Sequence, residues 1–188
     1  NVIPREMHGV KLLLGTELNI MNPNGDLDLS ESLCRNLDIV IASIHSPCYG
    51  LDHTREENTK AYTAVMKKPY VDIIGHPDDS RYPVDYERLV KAAKEQHVLL
   101  ELNNTSLHPK SSRQNARPND RIMLKLCMEY ETPVILGSDA HTQEDIGNHS
   151  YLDPLLESLH FPEELIVNRS VEEYQKYINR YRQTETSF

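Results

Sequence analysis

Short apolar runs recur along the chain and alternate with segments of helical period. The runs cover residues 10–15, 37–43, 71–75, 98–102 and 133–136, with a shorter sixth at 165–167. Unbroken runs of this length, rich in Val, Ile and Leu, suit strands buried on both faces. Between them, Ala61, Ala64 and Val65 lie at helical spacing in residues 55–68, and Pro69 ends that segment. Asp85 can cap a helix through Gln96 with Leu89, Ala92 and Ala93 as its apolar stripe. A helix is expected from Asn119 to about Glu131, another over 150–159, and a short amphipathic stretch over 30–36. The capping box Ser170-Val171-Glu172-Glu173 starts a terminal helix through about Arg182, and residues 183–188 are expected to fray. Residues 105–118 show no period and carry three cations, so they read as a long loop on the functional face.

Strand and helix in alternation predict an α/β fold with a parallel sheet or barrel and right-handed crossovers, which puts every strand's carboxyl end on one face. A chain of 188 residues fits one domain over 1–188 and buries roughly 70% of its extended surface without staples.

Composition narrows the partners. With 20 basic and 29 acidic side chains the net charge is −9, which argues against nucleic acid and against an anionic membrane surface. Cys34, Cys48 and Cys127 show no paired spacing, so disulfides and a thiolate metal site are not expected. Cys34 and Cys127 read as buried helical positions. No signal-like or membrane-spanning run is visible, and a cytoplasmic setting is expected.

Nine histidines and no tryptophan are the compositional oddity, and the strand ends give it meaning. Glu17, His45, His76, Asn103 with Asn104, and Asp139 with His141 all stand at or just past an apolar run. Successive members are 28, 31, 27 and 36 residues apart, the spacing of repeated strand–helix units. One Glu, three His and one Asp then converge on one face. Imidazole and carboxylate without thiolate suit zinc, manganese or iron, and more than four ligands suggest more than one ion. His8, His53, His97, His108, His149 and His160 lie away from strand ends and read as surface residues. Arg113 and Arg117 in the long loop could clamp a phosphate. Tyr174, Tyr177 and Tyr181 read as packing of the last helix, and Glu101 as one half of an ion pair or a partner of a helix dipole.

Five ordered motifs carry a resemblance: Gly15-Thr16-Glu17-Leu18-Asn19, Ala42-Ser43-Ile44-His45, Ile74-Gly75-His76-Pro77, residues Leu100 to Ser106, and Leu136-Gly137-Ser138-Asp139-Ala140-His141. Together they resemble the polymerase and histidinol phosphatase (PHP) superfamily, in its YcdX-like phosphatase branch, over almost the entire chain. The resemblance implies a distorted (β/α)7 TIM-like barrel with up to three metal ions, where metal-activated water attacks a small phosphoester. It implies that Glu17, His45 and His76 serve one metal and that Glu17 bridges to a second. Asp139 would serve that second metal and His141 a third. The family's first-strand H-x-H and its later D-H pair are missing from this sequence, so the resemblance implies that roughly the first quarter of the domain is absent.

An incomplete barrel is expected to expose an edge along residues 10–14 and to form a homo-oligomer or swapped assembly. Two rival readings stand beside the phosphatase: a noncatalytic metal-binding or interaction module on the same scaffold, and an amidohydrolase-type metallohydrolase. No lysine is placed like a bridging carbamate, which weighs against the latter.

Overall fold

The computed structural model describes residues 3–178. It opens with β1 (Glu6–Met7) and β2 (Val10–Lys11), paired antiparallel through His8 and Gly9, whose φ angles are 53° and 78°. Two consecutive left-handed residues are what a tight two-residue hairpin requires. Residues 10–14 are therefore not the first strand of the parallel sheet. Val10, Leu12 and Leu13 are 68%, 40% and 40% exposed, whereas Leu18 and Ile20 are fully buried. The sheet begins instead at β3 (Gly15–Asn19). There Gly15 lies so close to β4 that a Cβ would come within 2.3 Å of Ile39 Cγ2.

The chain continues through α1 (Glu31–Cys34), β4 (Ile39–Ser43), α2 (Ser46–Tyr49), α3 (Arg55–Met66), β5 (Ile73–Ile74), α4 (Tyr86–Gln96) and β6 (Leu99–Asn103). It ends with α5 (Ala116–Tyr130), β7 (Val134–Gly137), α6 (Asp153–Leu159) and α7 (Val171–Gln175). Strands β3 to β7 form one parallel sheet in sequence order, without the reversal that marks a doubly wound sheet. Strand β3 is its outer strand, so the edge expected at residues 10–14 lies at Gly15–Asn19.

Strand alternation sorts the sheet's residues between two faces. On one, Leu18, Val40, Ala42, Ile74, Leu100, Leu102 and Val134 join the main core beneath α3, α4 and α5. Cys34 and Cys127 belong to that core and are fully buried. On the other, Ile73 and Leu99 pack with Ile39, Ile41 and Ile135 under Val167, Tyr174 and Tyr177. The strand registers put Glu17, Ser43, Glu101 and Asn103 on this second face too, Glu17 level with Ile41 and Glu101 with Ile135, and Ser43 and Asn103 at the carboxyl ends of β4 and β6.

Three other expectations change. Helix α5 starts at Ala116, before Asn119, because Pro118 falls in the first turn, where no amide donor is needed. The loop before it also holds a 3-10 turn at Thr105–Leu107. Residues 165–167 are not a sixth strand but parts of two 3-10 turns. Their ladder shrinks to one bridge, Val134 with Ile166. Asn168 supplies the rest: its side-chain amide donates to Leu136 O (2.9 Å) and its Oδ1 accepts from Leu136 N (2.8 Å). The terminal helix ends at Gln175, sooner than expected, and Tyr181 and residues 183–188 lie outside the described residues.

Glu101 is buried in a slot beside Gly137 and Gly75. A Cβ on Gly137 would lie 2.0 Å from Glu101 Oε1, and one on Gly75 would lie 2.2 Å from Ser43 Oγ and 3.5 Å from Glu101 Oε2. Substituting Gly137→Ala should cost about 1–3 kcal/mol by overpacking. Urea unfolding would show it as a lowered midpoint at unchanged slope, and Glu101→Ala in the same chain should recover part of the loss.

Candidate functional site

Three strands deliver three ligand atoms to one point. Glu17 projects from within β3, two residues before its end, and is not a strand-end residue as expected. His45 follows β4 and His76 follows β5. Glu17 Oε1 lies 3.0 Å from His76 Nε2 and 3.4 Å from His45 Nε2, and the two Nε2 atoms are 3.2 Å apart. Among the described residues, these three form a group whose geometry could hold a metal ion. An ion with bonds of about 2.0–2.2 Å in tetrahedral arrangement needs its ligand atoms about 3.3–3.6 Å apart. The Glu17–His45 distance of 3.4 Å meets that spacing, and the other two, at 3.0 and 3.2 Å, need only open by a few tenths of an ångström to admit an ion. Contacts with the His45 and His76 imidazoles and with the Ser43 hydroxyl hold the Glu17 carboxyl far below the usual carboxylate range, outweighing its partial burial. Ser43 Oγ donates to Glu17 Oε1 at 2.6 Å.

Each histidine is held by something else. His45 Nδ1 is 2.8 Å from Asn19 Oδ1. His76 has φ of 31°, unusual outside glycine, and its amide donates to Glu101 Oε2 at 2.9 Å. Asn103 Nδ2 also donates to Glu101 Oε2 (3.2 Å). Glu101 thus serves backbone and amide donors on the sheet's polar face, and pairs with no side-chain cation among the described residues. Burial pushes its carboxyl up, against the nearby positive field of His76.

Asp139 and His141 sit on the other side of the same opening. Asp139, at φ 50°, accepts from Asn103 Nδ2 (3.1 Å) and from both terminal nitrogens of Arg113 (3.4 and 3.3 Å). Arg113 also donates to Asn103 Oδ1 and Ser106 Oγ, each at 3.1 Å. His141 is 80% exposed, with Nδ1 2.9 Å from the Asp139 carbonyl. A cavity of about 470 Å³ joins these parts, lined among others by His45, His76, Arg81, Arg113, Asp139 and His141. Arg117 does not line it and donates to the Tyr151 carbonyl at 3.2 Å.

The chain has relatives named as probable phosphatases. The chain is 45% identical to a probable phosphatase of Clostridium novyi over 94% of its own length and 71% of the relative's. It is 42% identical to a probable phosphatase of Caldanaerobacter subterraneus subsp. tengcongensis over 96% of the chain and 70% of that protein. The chain belongs to this family of probable phosphatases. A third member, from Acetivibrio thermocellus, is 38% identical over 97% of the chain and 74% of its own length. No family model matches the chain. No helix among the described residues is long and apolar enough to cross a membrane.

In this probable-phosphatase chain the structure brings together Glu17, His45 and His76, sets Asp139 and His141 across the cavity from them, and turns Arg113 but not Arg117 toward it. Sequence reasoning missed the supports: Ser43, Asn19, Glu101 as the anchor of the His76 amide, and the Arg81–Asp79 pair. Burial works against charge on Asp79, but Arg81 at 2.6 and 2.8 Å prevails and holds its carboxyl below the usual range. Asn19 stood in a quoted motif two residues after Glu17, and that spacing was the available signal.

Two more acids escaped notice. Asp78 and Asp120 are 1% and 0% exposed; neither Asp120 oxygen has a hydrogen-bond partner, and the Ser106 hydroxyl beside Asp78 offsets its burial only in part. Burial raises both carboxyls, Asp120 well above the usual range, with the field of Asp78 adding to it. Between the unfolded value of about 3.9 and the folded one, the native state keeps a proton that the unfolded chain has released. Stability therefore falls as pH rises across that window. Asp120→Asn, similar in shape and uncharged, should raise the thermal midpoint at pH 7 and raise it less at pH 4, as read by scanning calorimetry.

Proposed function

We propose that this chain is a metal-dependent phosphoesterase of the PHP type acting on a small phosphoester. The observation that carries the reading is the convergence of Glu17 Oε1, His45 Nε2 and His76 Nε2 within 3.4 Å of one another, in a family named as probable phosphatases. Two imidazoles and a carboxylate without thiolate suit zinc, manganese or iron. A divalent ion held there would supply charge neutralisation for the phosphoester and bring the pKa of a bound water toward 7.

The chain's own residues do the rest. Arg113 faces the cavity with its guanidinium already oriented by Asn103, Ser106 and Asp139, which makes it the phosphate-binding residue of this reading. Asp139 and His141 remain the candidate ligands of further ions. Closure of the sheet into a (β/α)7 barrel is part of the same proposal and is supported by a strand order without reversal. It requires strands beyond those described here, in keeping with a match that spans 71% of the Clostridium novyi protein. A cytoplasmic setting is supported by three unpaired cysteines.

A noncatalytic metal-binding module is the second reading. It is favoured by the Arg113 guanidinium resting on Asp139 and by the exposure of His141, which leave the further ion positions unassembled.

Titration with zinc or manganese, followed by assay of p-nitrophenyl phosphate, separates the two. The phosphoesterase reading expects tight binding of at least one ion, its loss in His76→Ala, and a KM raised about tenfold or more in Arg113→Ala. Bound metal without turnover selects the second reading, and no metal in wild type or variant overturns both. We also propose that the outer edge of β3, with Met7, Val10, Leu12 and Leu13 exposed beside it in sequence, draws the chain into a homo-oligomer. A monodisperse monomer by light scattering would overturn that.

A further inference from the structure

The His45 ring has one nitrogen in the ligand triangle and the other on Asn19, and the second contact decides what the first can do. An amide's oxygen and nitrogen are nearly alike in size and shape, so the hydrogen-bonding neighbours of Asn19 decide which way it faces. Asp28 orients it. Asn19 Nδ2 is 2.6 Å from Asp28 Oδ2, and the Asn19 backbone amide donates to Asp28 Oδ1 at 3.0 Å. A carboxylate accepts and does not donate, so the NH2 group of Asn19 faces Asp28 and its oxygen faces His45. His45 Nδ1 must then carry the hydrogen. In the neutral ring Nε2 is left as a bare lone pair, aimed at Glu17 and His76.

The turn at residues 22–26 gains a purpose from this. It brings the chain back so that Leu27 bridges to Ile20 and Asp28 N reaches Asn19 O at 3.3 Å. Met21 N donates to Asp26 O at 2.8 Å across it. Gly25, at φ 76°, lets the turn lie on α3, where a Cβ would come within 2.9 Å of Ala64 Cβ. The loop thus ends by delivering Asp28 to the one side chain that touches the far nitrogen of His45.

We infer that Asn19 and Asp28 are positioning residues: they lock His45 in the Nδ1–H tautomer and aim its Nε2 at the cation position. The inference rests on the metal-site reading above. Partners of this kind behind a ligating imidazole typically change metal affinity 10–100-fold.

Long-range proton–nitrogen NMR on the metal-free wild-type protein at pH 8 reads the tautomer directly, and zinc affinity is read by competition with a chelating dye. The expected results are Nδ1–H at His45 in the wild type, and in Asn19→Ala a mixed tautomer with zinc affinity lowered about 10–100-fold. The urea midpoint of the metal-free variant should stay near the wild type's. Asn19→Asp combined with Asp28→Asn exchanges carboxylate and amide but keeps every bond in the relay, so it should restore tautomer and affinity together. Asn19→Asp alone sets two carboxylates against each other and should not. Nε2–H at His45 in the wild type, or wild-type zinc affinity in Asn19→Ala, overturns the inference. Nδ1–H at His45 in a wild type that binds no zinc supports the relay and overturns the metal-site reading instead.

Discussion

The site hangs on one buried carboxyl group. Glu101 fills the gap left by the missing side chains of Gly75 and Gly137, and from there accepts the amide of His76. That bond holds His76 in a left-handed conformation that a histidine seldom adopts, and the imidazole then turns back over β3 and β4 to meet Glu17 and His45. Asn103, bonded to the same carboxyl and to Asp139, carries the constraint across to β7. The two halves of the cavity share a single buried anchor, and Gly137 is required by the volume of Glu101, as Gly75 is by the Ser43 hydroxyl, rather than by their own backbone angles.

Charge in the cavity runs against the chain as a whole. The protein carries a net −9, yet Arg81, Lys110 and Arg113 line the opening beside the imidazoles. Arg81 is matched by Asp79, and Arg113 by Asp139, so the cations are held in place by acids just behind them. An anion entering there meets guanidinium groups of settled orientation and has little side-chain ordering left to impose.

Much of the fold was readable because parallel strands covered on both sides leave unbroken apolar runs, and runs at 37–43, 71–75, 98–102 and 133–136 each contain a strand of the sheet. The run at 10–14 misled because exposure is not a local property: Val10 and Leu12 look the same in a sequence whether covered or bare. Residues 165–167 misled for the opposite reason, since a single asparagine side chain does the bonding that a strand was expected to do. In the site, Glu17, His45 and His76 were legible from their spacing. Asn19 and Glu101 were not, because their roles depend on which residue of a neighbouring strand leaves room or presents a nitrogen. The two left-handed residues, His76 and Asp139, carry no sequence mark of strain.

Asn168 has a consequence for the sheet as a whole. By closing the hydrogen-bonding groups of Leu136 it blunts the β7 side, while among the described residues β3 pairs with β4 alone. The two sides therefore differ: a further strand, whatever its source, finds β3 open to it next to Glu17, while on the β7 side the sheet is already continued by the Ile166–Asn168 segment. Any residue such a strand brings to the cavity arrives from the side of the three clustered ligands.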